Sequence, residues 1–141
     1  MILGIGVDLA SVKRIREFLE RWGKRARQRC FTEIEQAYCD ARLHPEIHFA
    51  SRFAAKEALA KALGTGLSRG VAWKDIEVIR GPGEPPGLVL HGRTRRLAEA
   101  MGVERIHLSL GHEQDMAIAF VTLEGKSYSS RRIESLENHN S

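Results

Sequence analysis

The chain has 141 residues, enough for one domain that buries roughly two-thirds of its unfolded surface and too few for two independent cores. Its apolar content is ordinary for a globular protein, and no apolar run approaches the roughly 20 residues needed to cross a bilayer, which excludes a membrane-spanning class. The net charge of +4 is modest but concentrated, since Lys13, Arg14, Arg16, Arg21, Lys24, Arg25, Arg27 and Arg29 face only Glu17 and Glu20, a patch that steers some acidic partner without saying which.

The N-terminus enters an apolar segment at once, with no basic leader region or small-residue cleavage site, so nothing marks the chain for export. Ile2-Leu3-Gly4-Ile5-Gly6-Val7-Asp8-Leu9 reads as a buried strand ending at a carboxylate. Ser11 caps a helix whose apolar positions Ile15, Phe18, Leu19 and Trp22 recur at helical spacing and which ends near Gly23 or a little beyond. The basic residues take the opposite face. Thr32 opens a short second helix to about Arg42, with Glu35 as its capping-box partner. Pro45 suits the first turn of the longest helix, which runs to Leu63, where Gly64 is a left-handed stop.

Beyond it, Ile76-Glu77-Val78-Ile79 and Leu88-Val89-Leu90 flank a Gly/Pro-rich turn and predict a hairpin. Arg93 to Met101 predicts a helix closed by Gly102, and Ile106 to Leu110 with Met116 to Leu123 a second strand pair. From Glu124 onward the residues are polar and patternless, which predicts a disordered tail. The order implies a single α+β domain with a mostly antiparallel sheet. Cys30 and Cys39 have neither the spacing of a redox pair nor the number for a zinc knuckle. They read as free thiols in a reducing cytoplasm.

At about 100° per residue, Glu57 and Lys61 share a helix face with small Ala50 and Ala54, whereas Lys56 points elsewhere. A carboxylate and an ammonium one turn apart, over alanines that leave room, suit a site for a metal and phosphate oxygens; the plainer reading is an exposed i,i+4 pair. Asp8 alone is equally ambiguous, because it could simply cap the next helix. Together, Asp8 and Glu57 form the two-carboxylate set that magnesium prefers. Gly64-Thr65-Gly66 could let a diphosphate approach the backbone, but the helix C-terminus is the wrong dipole end for phosphate, so Lys61 and a metal would have to attract it. His107, Ser109 and Gly111 share one strand face and His112 takes the other. A lone strand histidine is more often structural. His44-Pro45-Glu46-Ile47-His48 lacks the adjacency of a zinc motif.

Gly4-Ile5-Gly6-Val7-Asp8-Leu9, Phe31-Thr32-Glu33, Arg52-Phe53-Ala54-Ala55-Lys56-Glu57-Ala58 and His107-Leu108-Ser109-Leu110-Gly111-His112, in that order, resemble the holo-acyl-carrier-protein synthases. The resemblance spans nearly residues 2 to 122. It implies the 4′-phosphopantetheinyl transferase fold over residues 1–124, followed by the tail at 125–141. It also implies transfer of 4′-phosphopantetheine from coenzyme A to a serine of apo acyl carrier protein, serving fatty acid biosynthesis, with magnesium at the diphosphate and adenosine 3′,5′-bisphosphate released. By the same resemblance Asp8 and Glu57 hold the metal, and Lys61 contacts the diphosphate. Lys56 supports it, and Arg52, Gly64, His107 and Ser109 lie near the coenzyme. Arg14, Arg21 and Arg25, roughly on one helix face, dock the acidic carrier. Members of this length are similar to trimers with active sites between subunits.

One departure stands out. The family often has Ser or Thr where this chain has Gly111, so a hydroxyl contact to the coenzyme is in doubt there. The attacking serine must lose a proton. Glu57, a hydroxide on the metal, or neutral Lys61 are the candidates, and a carboxylate already on a metal is a poor base, which favours solvent or Lys61. A nucleic-acid-binding domain would explain the basic helix but not Asp8 with Glu57, and it should carry aromatics among the basic residues, where only Phe18 and Trp22 stand, both on the apolar face. No Walker or dinucleotide fingerprint supports another nucleotide enzyme.

Overall fold

The computed structural model describes residues 1–68 and 70–126. Ten elements follow in chain order: strand β1 (Ile2–Ser11), helices α1 (Val12–Cys30), α2 (Glu33–Asp40) and α3 (Pro45–Ala62), a 3-10 turn (Trp73–Asp75), strands β2 (Ile76–Ile79) and β3 (Gly87–Leu90), helix α4 (Gly92–Ala100), and strands β4 (Val103–Glu113) and β5 (Met116–Gly125). The strands make a three-stranded sheet of order β1-β5-β4 and a separate β2-β3 hairpin, both antiparallel. The expected α+β class and hairpin are therefore present. The domain reaches past residue 124, because Gly125 ends β5 and exchanges backbone hydrogen bonds with Met1, its N–H donating to Met1 O at 2.9 Å. The rest of the expected tail, from 127 on, lies outside the described residues.

Helix α3 runs along one face of the sheet and carries the core. Ala54, Ala55, Ala58, Leu59 and Ala60 on α3 are fully buried, as are Ala117, Ala119, Val121 and Leu123 on the inner face of β5. Small side chains at this junction let helix and sheet come close, and larger ones fill the ends: Phe31 meets Phe49 edge-on, with ring centroids 4.9 Å apart.

Two expectations need correction. β1 is not buried on both faces: Ile5, Val7 and Leu9 alternate outward and are about half exposed, while Gly6 and Ala10 face inward. Their neighbours across the register, Phe120 beside Val7 and Ile118 beside Leu9, are exposed too, so the outer face of the sheet is an apolar surface. The first helical stretch of α1 does break at Gly23, at φ 52° and ψ −129°, a conformation only glycine adopts readily, but helix resumes after this bend and runs to Cys30, further than expected. The capping box is as expected: Glu35 N–H donates to Thr32 Oγ1 at 3.2 Å and Thr32 N–H to Glu35 Oε1 at 2.9 Å.

Candidate active site

Asp8 lies inside β1, not at its end, opposite Ala119 of β5. It follows two glycines that pack on α3: a Cβ at Gly6 would stand 1.8 Å from Ala58 O, and one at Gly4 2.2 Å from Ala62 O. Bare backbone against bare backbone brings β1 close enough for its carboxylate to meet the Glu57–Lys61 face of α3. Lys61 Nζ donates to Asp8 Oδ1 at 2.7 Å and to Val7 O at 3.1 Å. Burial raises the Glu57 pKa, the Asp8 charge raises it further, and Lys61 opposes both. The hydrogen bond to Asp8 raises the Lys61 pKa, so this exposed amine stays an ammonium at neutral pH.

Two neighbouring carboxylates, with a single ammonium alongside, are a donor set that a small divalent cation fits. Among the described residues no group of three or more His, Cys, Asp or Glu side chains gathers as a metal site. A two-carboxylate site suits magnesium, which keeps water and phosphate in the remaining positions. Gly64, at φ 80°, ends the helix one turn beyond Lys61 as a left-handed stop, with open space around its Cα.

The other expected coenzyme residues do not join this cluster within one chain. His107 and Ser109 are exposed on the outer sheet face, where Ser109 pairs with Phe120 and His107 with Thr122. Arg52 is five residues from Glu57, about 140° around the helix axis, and is buried. Its guanidinium and that of Arg42 each lie 4.1 Å from the Tyr38 ring centroid, a cation–π arrangement. Arg52 Nε is a buried nitrogen without a hydrogen-bond partner among the described residues. Tyr38, Arg42, His48 and Arg80 line a neighbouring pocket of about 470 Å³. Burial lowers the His48 pKa first, and the charges of Arg52, Arg42, His112 and Arg80 lower it further. Such a concentration of positive charge suits an anion. Arg42 and Arg80 are not site candidates in the sequence, and His48 enters there only in the rejected zinc motif, because distant segments bring the three together; the run of histidines and arginine at 42–48 is the available signal.

Lys56 points away from Glu57, as helical spacing implies, but into the core and not to the supporting role that the resemblance gives it. It is fully buried and donates to Glu35 Oε1 at 2.7 Å, Trp73 O at 2.9 Å and Ile76 O at 2.6 Å. Its ammonium faces the interior and not the Asp8–Glu57 cluster.

On α1, Arg14, Arg21 and Arg25 are exposed. Trp22 does not sit on the buried face; it is 52 % exposed, with Arg21 stacked on its ring at 5.2 Å. Because the helix bends at Gly23, Arg25 borders the same groove as Phe18 and Trp22, which Phe53 and Trp73 close on the α3 side; its volume is about 780 Å³. Burial raises the pKa of both free thiols, that of Cys39 to about 12, so neither is a nucleophile near neutral pH.

The family model of the 4′-phosphopantetheinyl transferase superfamily matches residues 4–121, and the chain belongs to that superfamily, among its holo-[acyl-carrier-protein] synthases. It is 51 % identical over 132 residues to the holo-[acyl-carrier-protein] synthase of Desulforudis audaxviator, covering 94 % of this chain and 100 % of the relative. The crystal structure of the Neisseria meningitidis holo-[acyl-carrier-protein] synthase superposes with a TM-score of 0.81 at 35 % identity, over 88 % of this chain and 99 % of that one. The Bacillus anthracis synthase, solved in complex with coenzyme A (3′,5′-ADP), gives a TM-score of 0.73 at 33 % identity, over 89 % and 99 %.

Proposed function

We propose that the chain transfers 4′-phosphopantetheine from coenzyme A to a serine hydroxyl of an apo acyl carrier protein, with magnesium, in the cytoplasm, where it serves fatty acid biosynthesis. The observation that carries this reading is the Asp8–Lys61–Glu57 cluster, in an enzyme whose relatives are named for that reaction. The serine oxygen bonds to the β-phosphorus of the coenzyme, the bond to the 5′-phosphate breaks, and adenosine 3′,5′-bisphosphate leaves with the electron pair. Asp8 and Glu57 would hold magnesium, which when bound would supply charge neutralisation at the diphosphate. Lys61, an ammonium at neutral pH, turns from Asp8 to a phosphate oxygen and adds a second positive charge. A carboxylate that holds the metal is a poor base, so the serine proton passes to solvent or to Lys61 in its neutral form. Gly64 lets the coenzyme pass near the end of α3. The cationic surroundings of Arg52, with Arg42, His48 and Arg80, suit the nucleotide phosphates.

Mass spectrometry of an apo carrier incubated with the enzyme, coenzyme A and magnesium tests the reading. One added phosphopantetheine is expected, and an unchanged mass with folded components overturns it.

Acyl carrier proteins are acidic, and the basic edge of α1 is the surface proposed to receive one. Reversing the charge of Arg14 and Arg21 together is expected to raise the apparent Michaelis constant for the carrier at least tenfold and to leave that for coenzyme A within about twofold. Equal effects on both substrates reject the docking surface.

A homotrimer completes the proposal. The apolar outer face of the sheet, with Val7, Leu9, Ile118 and Phe120 exposed together, is the kind of surface that proteins cover by association. His107 and Ser109 lie on that same face, so a neighbour packed there would cover them, and the proposed trimer makes them contacts to the coenzyme of an adjacent chain. Sedimentation should give three times the chain mass, falling to one for Phe120→Glu with loss of transfer. A wild-type monomer that transfers phosphopantetheine refutes the trimer.

A further inference from the structure

Lys56 precedes Glu57 in α3, yet its side chain serves a different part of the protein. All three ammonium N–H donors are used: one by Glu35 and two by the carbonyls of Trp73 and Ile76, where the 3-10 turn meets β2. Glu35 is equally occupied. Its Oε1 also accepts from Thr32 N–H at 2.9 Å, and its Oε2 accepts from Val78 N–H at 2.9 Å. Both side chains are without solvent exposure. Four segments therefore meet at one ion pair: the start of α2, the middle of α3, the 3-10 turn and β2. A buried pair of this kind contributes little to stability compared with apolar packing, but it permits only one arrangement of the groups around it.

The arrangement it selects bears on the transfer site. Between β1 and α3 the glycine contacts set the separation, and the buried side chains of α3, Phe49 and Leu59 among them, seat it on the sheet. To this non-directional packing Lys56 adds three directional bonds that fix the rotation of the helix. About 100° further round the helix, Glu57 then faces Asp8, and Lys61 follows one turn later. Trp73, whose carbonyl Lys56 holds, stacks on Phe53 with centroids 4.5 Å apart, one turn before Glu57 on the same side of the helix.

We infer that Lys56 is a positioning residue and not a coenzyme ligand: paired with Glu35 and sealed against the carbonyls of Trp73 and Ile76, it fixes the rotation of α3 and so sets Glu57 and Lys61 against Asp8. The inference rests on the proposed transfer reaction for its kinetic readout. A coenzyme-binding role would require Lys56 to leave a buried carboxylate unpaired.

Two experiments decide it. In the whole wild-type protein, acetylation by acetic anhydride followed by peptide mass spectrometry should modify Lys61 at least a hundredfold faster than Lys56, with the Lys56 rate unchanged by coenzyme A. A Lys56 as reactive as Lys61, and shielded by coenzyme A, overturns the inference whether or not the enzyme is active. The second experiment uses Lys56→Met with and without Glu35→Gln, the double variant removing the orphaned charge so that the fold survives. Coenzyme A affinity by calorimetry should stay within threefold of wild type, while kcat falls at least thirtyfold in the single variant and tenfold in the double. A tenfold loss of coenzyme affinity makes Lys56 a ligand. A folded double variant with kcat within threefold of wild type makes the pair merely structural. Both results reject the inference. If the double variant does not fold, the acetylation rates decide alone. Wild-type enzyme that fails to modify an apo carrier refutes the transfer reaction instead, and leaves the acetylation result standing.

Discussion

Gly6→Ala should cost more than about 3 kcal/mol of stability, at or beyond the upper end of ordinary overpacking, and transfer activity should be lost with it, although only one methyl group is added. The methyl carbon would lie 1.8 Å from Ala58 O and within 3 Å of Ala58 C and Ala62 N. All three are backbone atoms of α3, so no rotamer change relieves the clash. Either β1 moves away, carrying Asp8 from Glu57, or the strand fails to dock. Gly111→Ala is the matched control, since neither glycine has a positive φ and the nearest atom at Gly111 is a side-chain methyl, Ile118 Cγ2, at 3.3 Å, with no backbone atom in the way. It should change stability by less than about 1 kcal/mol. Thermal unfolding of the two variants beside wild type checks the contrast, and equal losses at both positions would show that close packing of β1 on α3 is not what holds Asp8 in place.

Glu57→Gln should separate activity from stability. Transfer should fall by roughly two to three orders of magnitude, as when one electrostatic group is removed from a phosphoryl-transfer or acyl-transfer site, while the protein at neutral pH becomes no less stable. The sign follows from the raised Glu57 pKa, caused first by burial and then by Asp8. A carboxyl group with a raised folded-state pKa contributes stability that is fully present below its unfolded value of 4.5 and is lost as pH rises through the folded value. At pH 7 the ionised group is therefore a burden that glutamine removes, and the melting temperatures of wild type and variant should converge as the pH drops below 4.5. Added magnesium should raise the wild-type melting temperature and leave that of the variant nearly unmoved. A variant that melts lower than wild type at pH 7 and still transfers phosphopantetheine would remove Glu57 from the site.

How much of this was legible in the sequence differs from residue to residue. Local chemistry was readable: Thr32 with Glu35 announced a capped helix, Pro45 and Gly64 bracketed α3, and the Gly/Pro run at 81–87 announced the hairpin. The Glu57–Lys61 face followed from helical spacing alone. In β1 the alternation was visible, but its polarity was misleading, because glycine and Asp8 face inward while Ile5, Val7 and Leu9 face outward. Apolar residues normally mark the buried face, and here the buried face needs the absence of side chains. Lys56 was placed away from Glu57 correctly, yet nothing local revealed that it points into the core, since its partners stand 17 to 21 residues away. The positive cluster around Tyr38 was hidden for the same reason: Arg80 comes from beyond β2, and only the folded chain sets it beside Arg42 and His48.

The bend at Gly23 divides the basic helix into stretches of eleven and seven residues, each below the ~12–15 that hold together unaided in water. Neither half is a helix in its own right. The first is ordered because Val12 and Ile15 are sunk in the interior, the second because Ala26 and Cys30 are. The spacing of the surface charges is thus borrowed from the packing underneath. A chain whose interior has begun to loosen would let its arginines drift out of register, and on the proposed docking role it should lose an acidic carrier before it loses a small phosphorylated ligand.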